Sequence, residues 1–217
     1  MSLHLLSRQE LQNALAHFKA GRQTQALAAC QNVSPDDPAY PEALHLNGVI
    51  AFRAGDAALA AALIGRAVEL KPGYREALAN LGHALRKLGR LPEATAAYRD
   101  AARVDPANAS IQNSLGVALL EQGHLDDAIA AFRAATTLRP DHVEALNRLG
   151  GALRQKGELD AAIAAFARLV ALQPDRAEPH NNLGVALAEA GRSTEAIEAF
   201  QRALAIDPRQ SEADVGL

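Results

Sequence analysis

Residues 109–142 read ASIQNSLGVALLEQGHLDDAIAAFRAATTLRPDH, and residues 143–176 read VEALNRLGGALRQKGELDAAIAAFARLVALQPDR. Laid over one another, the two stretches share Leu-Gly at residues seven and eight, Gly at fifteen, Ala at twenty, Phe at twenty-four and Pro at thirty-two. Working outward, the same ruler runs along almost the whole chain of 217 residues. Prolines fall at Pro38, Pro72, Pro106, Pro140, Pro174 and Pro208, each 34 residues after the last. Glycines fall at Gly21, Gly55, Gly89, Gly123, Gly157 and Gly191, and alanines at Ala26, Ala60, Ala94, Ala128, Ala162 and Ala196. A fixed period of this length is the mark of a stacked repeat array. With the proline at position 32, the repeats are residues 7–40, 41–74, 75–108, 109–142, 143–176 and 177–210.

Each repeat reads as a helix hairpin. A run of about 14 residues without a breaker separates each proline from the next glycine, and a second of similar length leads to the next proline. Glycine supplies the positive φ that turns the chain between the two helices. Proline stops the second helix and holds the residue before it extended. The alanine at position 20 is small because two helices cross there at close range. Ser7-Arg8-Gln9-Glu10 has the form of a capping box, which predicts that the first helix starts at Ser7.

Positions 7, 8 and 11 read Leu81-Gly82-Leu85, Leu115-Gly116-Leu119, Leu149-Gly150-Leu153 and Leu183-Gly184-Leu187, and position 24 is Tyr98, Phe132, Phe166 and Phe200. Leu-Gly at 7–8, Ala at 20, an aromatic at 24 and Pro at 32 together resemble the tetratricopeptide repeat over residues 7–210. The resemblance implies an all-α fold, an α-solenoid in which six helix pairs wind into one domain, a right-handed superhelix with a concave groove lined mainly by the first helices. The outer units depart from the pattern. Repeat one has Asn13, Ala14, His17 and Cys30 where Leu, Gly, Leu and an aromatic stand elsewhere, and repeat two has Asn47 and Ile64. Atypical terminal units suit an array that must cover its ends. Residues 211–217 read as the start of an incomplete further helix, with Leu217 at the leucine site. The expectation is that Leu217 is a fragment boundary or that a neighbouring molecule covers this end.

Composition narrows the function classes. Hydrophobic residues make up 49% and charged residues 22%, which marks a folding chain. A net charge of −3 excludes a strongly basic nucleic-acid binder. Cys30 is the only cysteine, so there is no internal disulfide, and its place at position 24 makes it a buried small hydrophobe. Arg8, Glu10 and Lys19 interrupt any signal-peptide core, and no apolar run nears the ~18 residues of a membrane span. The expected location is cytoplasmic. No phosphate loop, dinucleotide fingerprint or metal-ligand spacing occurs. The position-2 glutamates, Glu42, Glu76, Glu144, Glu178 and Glu212, stand in the first helical turn, where they complement the dipole. Hence no catalytic residue and no cofactor is expected.

The groove is read from helix geometry. At ~100° per residue, positions 4, 7, 8 and 11 face the partner helix while 2, 6, 9 and 13 face the open side. Position 6 carries Asn80, Arg148 and Asn182; position 9 carries His83; the flanking position 5 carries His45, Asn113, Asn147 and Asn181. Position 5 is never basic and position 9 never Asn, so the carboxylate clamp by which some family members hold chaperone tails is absent. The asparagines resemble instead the ladder in the superhelical arm of O-linked N-acetylglucosamine transferases, where amides grip the backbone of an extended polypeptide. Asn80 and Asn182 stand at the ladder position; Asn113, Asn147 and Asn181 stand one residue earlier. An amide offers a donor and an acceptor to any peptide unit. The alternative open at this point is that the amides solvate the groove or bond to the next repeat. Position 13 changes from Lys19, Arg53 and Lys87 to Glu121, Gln155 and Glu189, a sign change that helix dipoles do not explain for the two glutamates.

Three functions remain. The first is a non-catalytic scaffold that binds an extended peptide or a partner helix in its groove, the ligand's acidic part near Arg53 and Lys87. The second is the substrate-docking arm of a larger enzyme such as a bacterial glycosyltransferase. The third is a solenoid that self-associates end to end.

Overall fold

The computed structural model describes residues 3–208, with side chains from Arg8 onward. Among them are twelve α-helices and no strand. The chain divides into two compact units, one ending at Ala107 and the other beginning at Asn108. The first unit holds α1 (Leu3–Lys19), α2 (Gln23–Gln31), α3 (Tyr40–Arg53), α4 (Ala57–Leu70), α5 (Arg75–Lys87) and α6 (Leu91–Val104). The second holds α7 (Ala109–Glu121), α8 (Leu125–Leu138), α9 (Val143–Lys156), α10 (Leu159–Leu172), α11 (Ala177–Glu189) and α12 (Ser193–Ile206). Within each unit every helix packs on the next, and α1 meets α3, α3 meets α5 and α7 meets α9. This succession of helix pairs is an α-solenoid.

The punctuation residues act as their chemistry demands. Gly21, Gly55, Gly89, Gly123, Gly157 and Gly191 all have φ between +72° and +92°, closing each hairpin turn. Lys71, Asp105, Arg139, Gln173 and Asp207, each just before a proline, sit at φ near −134°. The helical glycines at position 8 have a different duty. The ring of Tyr98, Phe132, Phe166 or Phe200 lies flat against Gly82, Gly116, Gly150 or Gly184, and no Cβ fits between. Position 20 is fully buried in five repeats and nearly so at Ala196. Positions 3 and 10 are buried as well, through Ala43, Ala77, Ala145, Ala84, Ala118 and Ala152. Small side chains there let successive first helices stack closely.

Repeat one differs from its sequence reading in two places. Its first helix begins at Leu3, so Ser7 lies inside the helix and is not its cap. The leucine-rich stretch Leu3-His4-Leu5-Leu6 contains no breaker, and helix continues through it. Its second helix ends at Gln31, well before Pro38, because Pro35 bars the helical conformation for Ser34 and offers no N–H. Cys30 then stands where the later repeats carry a ring, buried in a cluster with Ala14, Ala26, Val33 and Ile50. Burial pushes its thiol up to about 11, which suits a packing group. The expected further helix over 211–217 lies outside the described residues.

Candidate functional site

The candidate groove face is built on first helices, and within each unit its polar groups meet across neighbouring repeats in one register. A position-5 side chain reaches positions 2 and 6 of the repeat that follows. In the second unit, Asn147 Nδ2 donates to Glu178 Oε1 at 3.1 Å, and Asn182 Nδ2 donates to Asn147 Oδ1 at 3.0 Å. One repeat earlier, Asn113 bonds Glu144 in the same way. There the position-6 residue is Arg148, which folds back on Glu144 at 3.0 Å, and Asn113 Oδ1 is left buried without a partner. Partial burial pushes Glu144 upward, but the hydrogen bonds from Arg148 and Asn113 outweigh it and hold the carboxyl below its ordinary 4.5. Asn181 lies half-buried beside Asn182 on α11.

The first unit repeats the register with different chemistry. Asn80 Nδ2 donates to His45 Nε2 at 2.8 Å, which places the imidazole proton on Nδ1, 2.9 Å from Tyr74 Oη. Burial lowers the pKa of His45, and it pushes the Tyr74 hydroxyl up to about 12. His83 packs edge-on against Tyr98 and shares a 2.8 Å hydrogen bond with its hydroxyl. Burial, aided by Arg86, lowers His83 as well. Arg53 is exposed, its guanidinium 4.3 Å above the ring of Phe18, and Lys87 is exposed at the end of α5.

Both histidines are held neutral by the fold, which sets the sign of a pH effect. Above 6.5 the imidazoles are neutral folded or unfolded, and the native interactions count in full. As pH falls below 6.5 the unfolded chain takes up protons that the folded chain refuses, and stability is lost until the folded-state values are passed. The urea midpoint of the first unit is therefore expected to fall between pH 7.5 and 5.5. Imidazole NMR titration should show His45 and His83 with midpoints below 6.5. Midpoints at or above that value would remove the burial argument.

The sign change at position 13 has a structural origin at Glu189. Arg154, at position 12 of the repeat before, meets it at 2.8 Å, so an ion pair across the repeat boundary offsets the dipole. The position-2 glutamates do more than complement helix dipoles: Glu144 and Glu178 also hold the asparagines in place. Beside the Asn147–Asn182 pair lies a cavity of about 270 Å³ lined by Gly151, Arg154, Phe166 and Val185. Among the described residues, no cluster of His, Cys, Asp or Glu has the arrangement of a metal site.

The Tetratricopeptide repeat family model matches residues 11–75, 79–141, 115–177 and 157–211. The chain belongs to the tetratricopeptide repeat family. Solved structures of that fold are similar to it over about three quarters of its length. A crystal structure of MamA is 24% identical at a TM-score of 0.71, covering 76% of this chain and 96% of that one. MamA from Desulfovibrio magneticus RS-1 is 20% identical at 0.71, covering 78% and 96%. YrrB, described as a TPR protein with an unusual peptide-binding site, is 23% identical at 0.69, covering 76% and 86%. A comparison with curated proteins gives no match. These identities carry the fold. Among the described residues, no helix is long and apolar enough to cross a membrane.

Proposed function

We propose that this tetratricopeptide repeat chain is a protein-interaction scaffold that holds an extended polypeptide against its first helices, gripping backbone units through side-chain amides. The observation that carries the reading is the Asn147–Asn182 pair. Each amide is oriented by a neighbour, Asn147 by Glu178 and Asn182 by Asn147, and both stand at the mouth of an open cavity. An amide fixed in this way is preorganised, so a ligand does not have to order it. Asn80, oriented by His45, extends the same chemistry, whereas Asn113 is buried with its carbonyl oxygen out of a ligand's reach. Repeat proteins use such surfaces to bind partners, and the peptide-binding description of YrrB supports the choice of ligand class. In the first unit, Lys19, Arg53 and Lys87 are exposed cations at the ends of successive first helices. They form a salt-sensitive orienting edge for an acidic stretch of ligand.

The test is a selection of linear 12-residue peptides displayed on phage, followed by calorimetry with the best binder. Each lost hydrogen bond is worth ~0.5–1.5 kcal/mol, so Asn147→Ala with Asn182→Ala is expected to weaken binding by about 5- to 150-fold. Circular dichroism should be unchanged, because both residues are partly exposed. Undiminished affinity in the double variant, or a selection without binders, would count against the reading.

A further inference from the structure

The cavity beside the asparagine pair has a cause in one residue. Position 9 faces the groove and carries Leu15, Val49, His83, Val117 and Val185 in five repeats, but Gly151 in the fifth. A Cβ added at Gly151 meets nothing within 4 Å, so the space a side chain would take is open. The glycine is helical and its turn needs no positive φ, so no backbone requirement accounts for it. A glycine inside a helix is destabilising relative to alanine, and here it leaves a hole where four of its five counterparts put an aliphatic group.

We propose that the Gly151 cavity is a specificity pocket for one aromatic side chain of an extended peptide; this rests on the backbone-gripping function proposed above. Size sets the first limit. At about 270 Å³ the cavity lies just below the ~300–1,000 Å³ of sites that enclose whole small molecules, yet far above the ~30 Å³ share of a water. It suits a single large side chain. Chemistry sets the second. Phe166 and Val185 supply apolar contact, and the Arg154 guanidinium offers a flat cationic partner to a ring. Charge sets the third. Arg154 is already paired with Glu189 at 2.8 Å, so an acidic side chain would have to displace that carboxylate. The amide pair at the same mouth completes the site: Asn182 Oδ1 takes no hydrogen bond from the described residues and can accept from the ligand's backbone N–H.

The experiment uses the ¹⁵N-labelled full chain and four probes, N-acetyl-Gly-X-Gly-amide with X as Phe, Leu, Glu or Ala. The Phe probe is expected to move the resonances of Gly151, Val185 and the Asn147 and Asn182 side-chain amides saturably at millimolar concentration. The Leu probe should bind at least threefold more weakly, and the Glu probe no better than Ala. Gly151→Val, which installs the residue found at this position in three other repeats, places its Cβ in open space and should reduce the Phe response to the Ala level. A Phe response that survives Gly151→Val, or equal affinity for Leu or Glu, overturns the pocket. Should all four probes bind alike, and lose binding together in the Asn147→Ala, Asn182→Ala variant, the pocket falls while the backbone grip stands. A Phe response lost in Gly151→Val but untouched by the asparagine changes keeps the pocket and overturns the grip.

Discussion

Gly150→Ala is expected to destabilise the second unit by ~1–3 kcal/mol, while Gly151→Ala, one residue further on, stabilises it by ~0.5–1 kcal/mol. Helix propensity treats the two changes alike, since each removes backbone freedom from the unfolded chain. Packing separates them. An added Cβ on Gly150 would lie 2.6 Å from Phe166 Cε1 and 2.7 Å from Cζ, well inside contact distance, whereas on Gly151 it meets nothing within 4 Å. The Phe166 ring is buried and planar, wedged over the crossing of α9 and α10, and has no flexible end to withdraw. Urea unfolding followed by circular dichroism should give midpoints in the order Gly151→Ala, parent, Gly150→Ala. Shrinking the ring with Phe166→Leu should recover part of the Gly150→Ala loss. Equal midpoints for the two alanine variants would mean that ring contact does not set the residue at position 8. At Gly48 the added Cβ would meet Ile64 Cγ1 and, at 3.2 Å, the Ala60 carbonyl oxygen; Ile64 is buried and β-branched, so the same substitution should be no cheaper there.

The sequence made this packing partly legible. The recurrence of Gly at 8 with an aromatic at 24 pointed to a repeat family, and the period placed every hairpin turn, Gly21 included. What it hid were relations between repeats. Asn147 meets Asn182 and Glu178 because residues 35 and 31 positions apart are brought side by side by helix stacking, and no local pattern announces that. The same holds for Arg154 and Glu189, whose pairing turns an apparent change of groove charge into an internal contact. A fixed offset between repeats, once known, would have found all of them. Repeat one departs from its sequence pattern for a different reason. The capping pattern at Ser7 and the proline at 38 suggest its bounds, but the first helix runs unbroken from Leu3 and Pro35 ends the second early. The proposed pocket shows in the sequence only as a glycine at a position where four of the other five repeats carry an aliphatic residue.

Replacing Phe132 by alanine is expected to cost ~3–5 kcal/mol, the range for deleting a fully buried aromatic. Phe132 has no exposed surface, lies over Gly116, and belongs to the cluster that joins Ile129, Leu146, Leu149 and Leu153. Because α7 offers only glycine beneath the ring, no neighbouring side chain on that face can expand to fill the void. The loss should not spread evenly. Repeat stability is close to a sum of terms for each unit and each nearest-neighbour interface, so the α7–α8 hairpin and its contact with α9 bear the damage. Hydrogen exchange should show protection falling first in residues 109–138, with α11 and α12 retaining more of theirs. Uniform loss across the unit would indicate a single cooperative block in place of additive repeats. Cys30 supplies the internal control. It occupies the equivalent position in repeat one, facing Ala14, and its side chain is a single buried sulfur. Cys30→Ala removes about as much as one methylene group, worth ~0.8 kcal/mol, so the same site in the repeat should be several times less sensitive. If both changes cost alike, the ring stacked on glycine is not what holds the later repeats together.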